Sequence, residues 1–219
     1  MIALYNFLSG PMVWISFLVF FLGMLIKFLK LLFEVIKKES YIFSVISLKY
    51  GLRSVFIWLI PFGTKSMRNN FSFTFISFIF HFCIIISPIF LSAHIIMIDE
   101  AWNISWWSIP DKISDILAIV VIICCLLFAL RRLFEAKVKY VTSTSDFVLL
   151  FIVAAPFITG FLAYHQIFNY KLIMILHILS GEVLIITIVF TRLSHMLLGP
   201  FTRAYMGSEF GRIRHAKDW

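Results

Sequence analysis

Charge is what this chain has least of. Only 14% of its 219 residues are Asp, Glu, Lys or Arg, against about 25% in soluble domains. With 62% of residues hydrophobic, too little polar surface is left for a separate soluble domain, and the chain reads as an all-α integral membrane protein. Cysteine is scarce as well. Cys83, Cys124 and Cys125 all fall inside apolar runs. No C-x-x-C-H motif encodes covalent haem attachment, and no cysteine cluster can hold an iron–sulfur centre. A nucleotide-binding glycine loop, an internal repeat and a low-complexity linker are also missing.

What is present is a set of long apolar runs. A spanning helix needs roughly 20 mostly apolar residues, and five segments qualify: residues 11–33, 71–98, 113–130, 147–168 and 172–198. The first lacks the basic leader and small-residue cleavage site of a removable signal peptide. The stretch 40–63 is greasy but carries Lys49, Arg53 and Pro61. It reads as one or two interfacial helices rather than a sixth crossing. The expected architecture is a single five-helix membrane bundle.

Basic residues set its orientation. Lys37, Lys38, Lys49, Arg53, Lys65 and Arg68 lie between the first two spans, and Arg131, Arg132, Lys137 and Lys139 between the third and fourth. The tail adds Arg203, Arg212, Arg214 and Lys217, whereas the opposite loops hold only Lys112 and Lys171. The positive-inside rule puts the N-terminus outside and the C-terminus in the cytoplasm of a bacterial inner membrane. The net charge of +8 therefore reports topology and gives no sign of nucleic-acid binding. EAWNISWWSIPD, in an outer loop, has the look of an interfacial tryptophan belt.

The candidate chemistry lies in histidines. His215 sits in the basic tail, but His81, His94, His165, His177 and His195 lie at or inside spans. Ionisable residues inside a bilayer mark function by default; a single one also has an ordinary structural use, as a neutral ring bonded to a main-chain carbonyl. Here the pattern adds information. His177 and His195 are eighteen residues apart, which on one continuous helix is five whole turns and puts both on one face, about 27 Å apart. The second and fifth spans run in opposite directions. His94 and His177 are thus both toward the outside, and His81 and His195 both toward the cytoplasm. Two facing pairs at two depths is what two bis-histidine haems require. On the second span the thirteen-residue gap leaves the imidazoles about 140° apart on an ideal helix, and Pro88 between them supplies a kink. His165, at the outer end of the fourth span, is a rival outer ligand. Gly160 and Gly181 offer room for a flat group, and Arg131, Arg132 and Arg192 are candidate partners for propionates. Glu182 is a further buried, proton-linked candidate.

Several stretches carry a family likeness: LYNFLSGPMVW, KYGLRSVFIWLIPF, FHFCIIISPIFLSAH, KYVTSTSDFVLLFIVAAPFITGFLAYHQ and HILSGEVLIITIVFTRLSH. With five spans and histidines on the second and fifth, the chain resembles the gamma subunit of respiratory nitrate reductase. It is still more similar to the cytochrome b subunit of the Tmc transmembrane redox complex of sulfate reducers. The resemblance implies two haems b, with His177 and His195 as the fifth-helix ligands and His81 as the inner ligand of the second helix. On that helix the family pattern would put the outer ligand at Leu91, whereas this chain has His94 three residues on. Electrons would pass between menaquinone or a periplasmic multihaem cytochrome c and a cytoplasmic iron–sulfur subunit. Lys112 occupies the place of a quinone-site lysine, with Asp111 and Asp115 beside it as proton acceptors. The tail GSEFGRIRHAKDW and residues 34–70 are the expected cytoplasmic docking surfaces. A haem-free anchor and a small proton-linked transporter are the competing readings.

Overall fold

A computed structural model describes residues 2–216; Lys217, counted above with the tail's positive charges, lies outside the described residues. The described chain is all-α, with no strand. Lipid offers the backbone no hydrogen-bond partners, so apolar runs of this length close their hydrogen bonds within helices. Five helices are long and apolar enough to cross a membrane: α1 (Ile2–Lys38), α5 (Phe71–Phe90), α7 (Asp111–Phe134), α9 (Thr144–Tyr164) and α10 (Tyr170–Phe190). Their outward residues are large and apolar, among them Phe21, Leu25, Phe82, Ile116, Phe151 and Leu172, as a multi-pass protein in contact with lipid demands.

Three short helices precede α5: α2 (Ile42–Val45), α3 (Leu48–Leu59) and α4 (Lys65–Asn69). They fill the stretch expected to lie at the interface. On α3 the exposed residues Leu48, Leu52, Phe56 and Leu59 recur at helical spacing and form one apolar stripe. Gly51 and Ser54, on the other side, are buried.

Two expected helices are broken. Residues 71–98 do not form one span: α5 stops at Phe90, Leu91 is extended (φ −70°, ψ 127°), and α6 runs Ser92–Trp102. Nor do residues 172–198 form one helix. After α10, Thr191 is extended (φ −124°, ψ −175°), Arg192–Ser194 make a 3-10 turn, and α11 begins at His195 and runs to Met206. His177 and His195 thus sit on different helices, and the five-turn same-face argument does not apply. The other spans are displaced by a few residues, the first being the longest because α1 continues through a π-helical stretch at Leu8–Met12 containing Pro11.

The helices fall into two compact units. One comprises Met1–Ser9 and Ile76–Leu184, the other Gly10–Phe75 and Ile185–Trp219. In the first, α7 packs on α9 around Val121, Cys124, Cys125, Val153 and Ala154. The short helix α8 (Ala136–Lys139) joins them. Asp146, 3% exposed, starts α9 by a reciprocal cap: the Ser143 N–H and hydroxyl donate to its carboxylate at 2.8 and 3.1 Å. Arg132 of α7 reaches the other oxygen at 3.3 Å. Arg131 pairs with Glu135 at 2.6 Å. Both arginines therefore have carboxylate partners.

In the second unit α3 packs on α11. A Cβ on Gly51 would stand 3.3 Å from Ala204, so the two helices approach closely. Arg203 lies over the Trp58 ring at 4.1 Å and donates to the Ser54 hydroxyl at 3.2 Å. Burial pulls its guanidinium below the ordinary arginine range. Beyond α11 a π-helical segment, Gly207–Ile213, returns to α2. There Arg212 donates to the Val45 and Ile46 carbonyls at 2.9 and 3.2 Å.

Candidate functional site

The break at Leu91 builds the first candidate position. A helix end leaves four carbonyls without partners, and Pro88 removes one further N–H from α5. Each carbonyl at this end finds a donor. The Leu91 N–H donates to the Ser87 carbonyl at 3.1 Å. The His94 ring donates through Nδ1 to Pro88 at 2.8 Å. The Trp106 indole donates to Ile89 at 2.9 Å, and the Ile109 N–H donates to Phe90 at 3.0 Å. Trp107 stacks on Phe90, ring centres 4.4 Å apart. The tryptophan loop is thus folded back over the break, with Trp106 giving it a specific hydrogen bond. Asn103, at φ 54°, ends α6 in the left-handed conformation that asparagine tolerates.

His177, on α10, is held in the same way. Its Nδ1 donates to the Pro156 carbonyl of α9 at 3.0 Å. The Thr159 hydroxyl lies 3.4 Å from the same nitrogen and 3.2 Å from the Ser180 hydroxyl. Gly160 makes room for the ring: a Cβ there would stand 2.9 Å from Cε1 and 3.2 Å from Nδ1. Gly160 therefore seats the imidazole itself rather than the edge of a flat ligand. At Gly181 a Cβ would meet nothing within 4 Å, so open space borders α10 one turn past His177.

The two rings face each other. Their centroids are 6.1 Å apart and their planes within 19°. A carbonyl can only accept, so in both residues Nδ1 carries the proton and Nε2 is the basic nitrogen of the neutral ring. Two imidazoles that share a metal through bonds of about 2 Å stand with ring centres roughly 6 Å apart. The pair has that spacing.

His81, on α5, donates through Nδ1 to the Ser77 carbonyl at 2.7 Å and meets the Phe80 ring edge-on at 5.3 Å. His195, the first residue of α11, donates through Nδ1 to the Arg192 carbonyl at 2.9 Å. Both carry the same tautomer as His94 and His177. They belong to different units.

His165 differs. At the C-terminal end of α9 it engages Asp115 through Nε2 at 3.1 Å, and packs on Phe161 with ring centres 4.4 Å apart. Its Nε2 is committed to a carboxylate rather than left basic, and it is His94 that stands opposite His177. Beside it, Asp111 accepts from the Ser92 hydroxyl at 3.0 Å and lies near Tyr164. Asp111, Asp115, Tyr164 and His165 thus link the start of α7 to the end of α9. Lys112 is exposed. Glu182 is 4% exposed, and among the described residues neither of its carboxylate oxygens has a hydrogen-bond partner.

Among the described residues, no three side chains of His, Cys, Asp or Glu converge as a metal site. The His94–His177 pair supplies two nitrogens. That suits a metal whose other positions are filled by a macrocycle.

Comparison with known proteins gives a full-length match. The chain is 35% identical over 211 residues to a protein of Nitratidesulfovibrio vulgaris (strain Hildenborough), covering 94% of this chain and 93% of that one. It belongs to that protein's family. The relative's name states no activity. No protein-family model matches the chain, and no solved structure matches it.

Proposed function

We propose that this protein is a di-haem b membrane subunit that carries electrons across a bacterial inner membrane. The observation that carries the reading is the His94–His177 pair, with ring centres 6.1 Å apart and each ring held through Nδ1 by a proline carbonyl. A structural histidine also bonds a carbonyl. Two such rings from separate helices, near-parallel and 6.1 Å apart at their centres, have the spacing that two axial ligands of one iron take. His81 and His195 are each proposed as a further axial ligand, with Nδ1 tied to a main-chain carbonyl. Each haem would supply one-electron chemistry at its iron. The protein's part is to fix ring orientation and tautomer, through the carbonyls of Pro88, Pro156, Ser77 and Arg192, and to keep the site in an apolar surround.

The described residues form no soluble redox domain, so electrons would enter and leave through partners. A cytoplasmic iron–sulfur subunit and a periplasmic multihaem cytochrome c are proposed, with menaquinone as an alternative outer partner. A quinol oxidised at the outer end would give up two electrons and two protons, and the protons would need acceptors on this chain. The His165–Asp115 pair and Asp111 are the proposed acceptors, with Lys112 at the mouth. The relative's source is a sulfate reducer, which agrees with the resemblance to the Tmc subunit.

The test is ligand-specific. His94→Ala and His177→Ala should each remove one haem, the same one, and the double variant should remove no more. Independent or absent losses would contradict the pairing.

A further inference from the structure

Lys27 lies within α1, a helix long and apolar enough to cross the membrane. An ammonium inside a bilayer is costly and needs a reason. Its Nζ donates to the Val189 carbonyl at 2.9 Å, the Thr191 carbonyl at 3.3 Å and the Ser194 hydroxyl at 3.0 Å. An ammonium has three N–H groups, and each has an acceptor here. Among the described residues none of these partners is a carboxylate.

The three acceptors mark out the break that ends α10. Thr191 interrupts the helix, and carbonyls at the C-terminal end of α10 lose the N–H groups that a continuing helix would supply. Those carbonyls are also the negative end of the helix dipole, where a cation is favoured. Lys27 fills the gap that Thr191 opens. The Thr191 hydroxyl turns back to the Thr187 carbonyl at 2.8 Å and accepts the Leu193 N–H at 3.2 Å. Ser194 accepts from Lys27 and donates to the Thr191 carbonyl at 3.0 Å. The next residue is His195, oriented through Arg192 of the same short turn.

We propose that Lys27 is a positioning residue for His195 as an iron ligand, and that its fixed charge raises the reduction potential of that haem. The proposal rests on the di-haem reading. Without the ammonium, the carbonyls of Val189 and Thr191 and the Ser194 hydroxyl lose their common donor. The turn that presents His195 then loses this three-bond anchor to α1. The electrostatic part follows from charge: reduction removes one positive charge from the iron centre, so a nearby fixed cation favours the reduced form.

The experiment uses the full chain purified from membranes, with haem per chain and the midpoint potential of each haem as readouts. Lys27→Met is compared with His195→Ala and Lys27→Arg. The expected result is an at least twofold loss in Lys27→Met of the same haem that His195→Ala removes. The residual fraction should titrate at a lower potential. The other haem stays at wild-type occupancy, which reports a folded chain, and Lys27→Arg restores most of the lost haem. Wild-type occupancy and potentials in Lys27→Met overturn the proposal while leaving the di-haem reading intact. If Lys27→Met loses both haems, Ser194→Ala decides: a selective change in the His195 haem supports the proposal, and no change overturns it. A wild-type chain without haem is instead the failure of the underlying reading.

Discussion

The rings of His94 on α6 and His177 on α10 have centroids 6.1 Å apart. Each ring is tied by Nδ1 to the carbonyl of a proline, Pro88 for one and Pro156 for the other. The prolines have a shared use. Each disturbs the hydrogen-bond ladder of an apolar helix, and in each case a proline carbonyl fixes an imidazole. The geometry of the pair depends on residues that never touch a ligand, and these can be tested one at a time.

Gly160→Ala places a methyl 2.9 Å from His177 Cε1. The ring must move or α9 must shift, at a cost of about 1–3 kcal/mol for overpacking. The expected outcome is loss of most of the outer haem with the inner one retained, read from haem content. Unchanged haem content would show that the ring is not seated on Gly160.

His165→Ala discriminates the two outer candidates. It breaks a half-exposed pair with Asp115, which is worth about 1 kcal/mol or less. Both haems should remain, while His94→Ala removes one. The opposite result would make His165 the ligand.

The spans were legible in the sequence because lipid imposes a simple rule: about 20 apolar residues and a closed backbone. All five appear, and the stretch with Lys49, Arg53 and Pro61 forms short helices rather than a sixth span. Helix direction puts His94 and His177 at the same end of their spans, and their rings stand 6.1 Å apart. The breaks at Leu91 and Thr191 were not. Both depend on donors far along the chain, the Trp106 indole and Ile109 N–H for one and the Lys27 ammonium for the other. Periodicity within a segment carries no trace of a donor outside it, whether about twenty residues on, as at Leu91, or more than a hundred away, as at Thr191. Pro88 was a visible signal, but it was read as a kink within one helix, whereas the chain breaks three residues later. Thr191 carried a weaker signal, a β-branched residue able to cap the turn that follows it.

Asp146→Ala removes the reciprocal cap of α9 and the partner of Arg132 together. Loss of such a cap costs roughly 0.5–2 kcal/mol, and the buried end of the ion pair adds to it. Thermal unfolding in detergent should move to lower temperature by several degrees, with haem ratio unchanged in the fraction that stays folded. An unshifted transition would mean that α9 starts elsewhere.

Glu182 points the other way. A buried carboxyl with no partner destabilises the fold that holds it, by about 1–3 kcal/mol on the protein scale. Glu182→Leu should therefore raise the unfolding temperature. A marked loss of stability would reveal a partner for the carboxyl, such as a neighbouring subunit or the haem itself.

The most direct test of the central claim is a reduced-minus-oxidised absorbance spectrum of the purified chain, with the haem quantified as its pyridine haemochrome. The account predicts a b-type spectrum and about two haems per chain. A properly assembled preparation with no haem would contradict it, leaving four oriented imidazoles without an iron to hold.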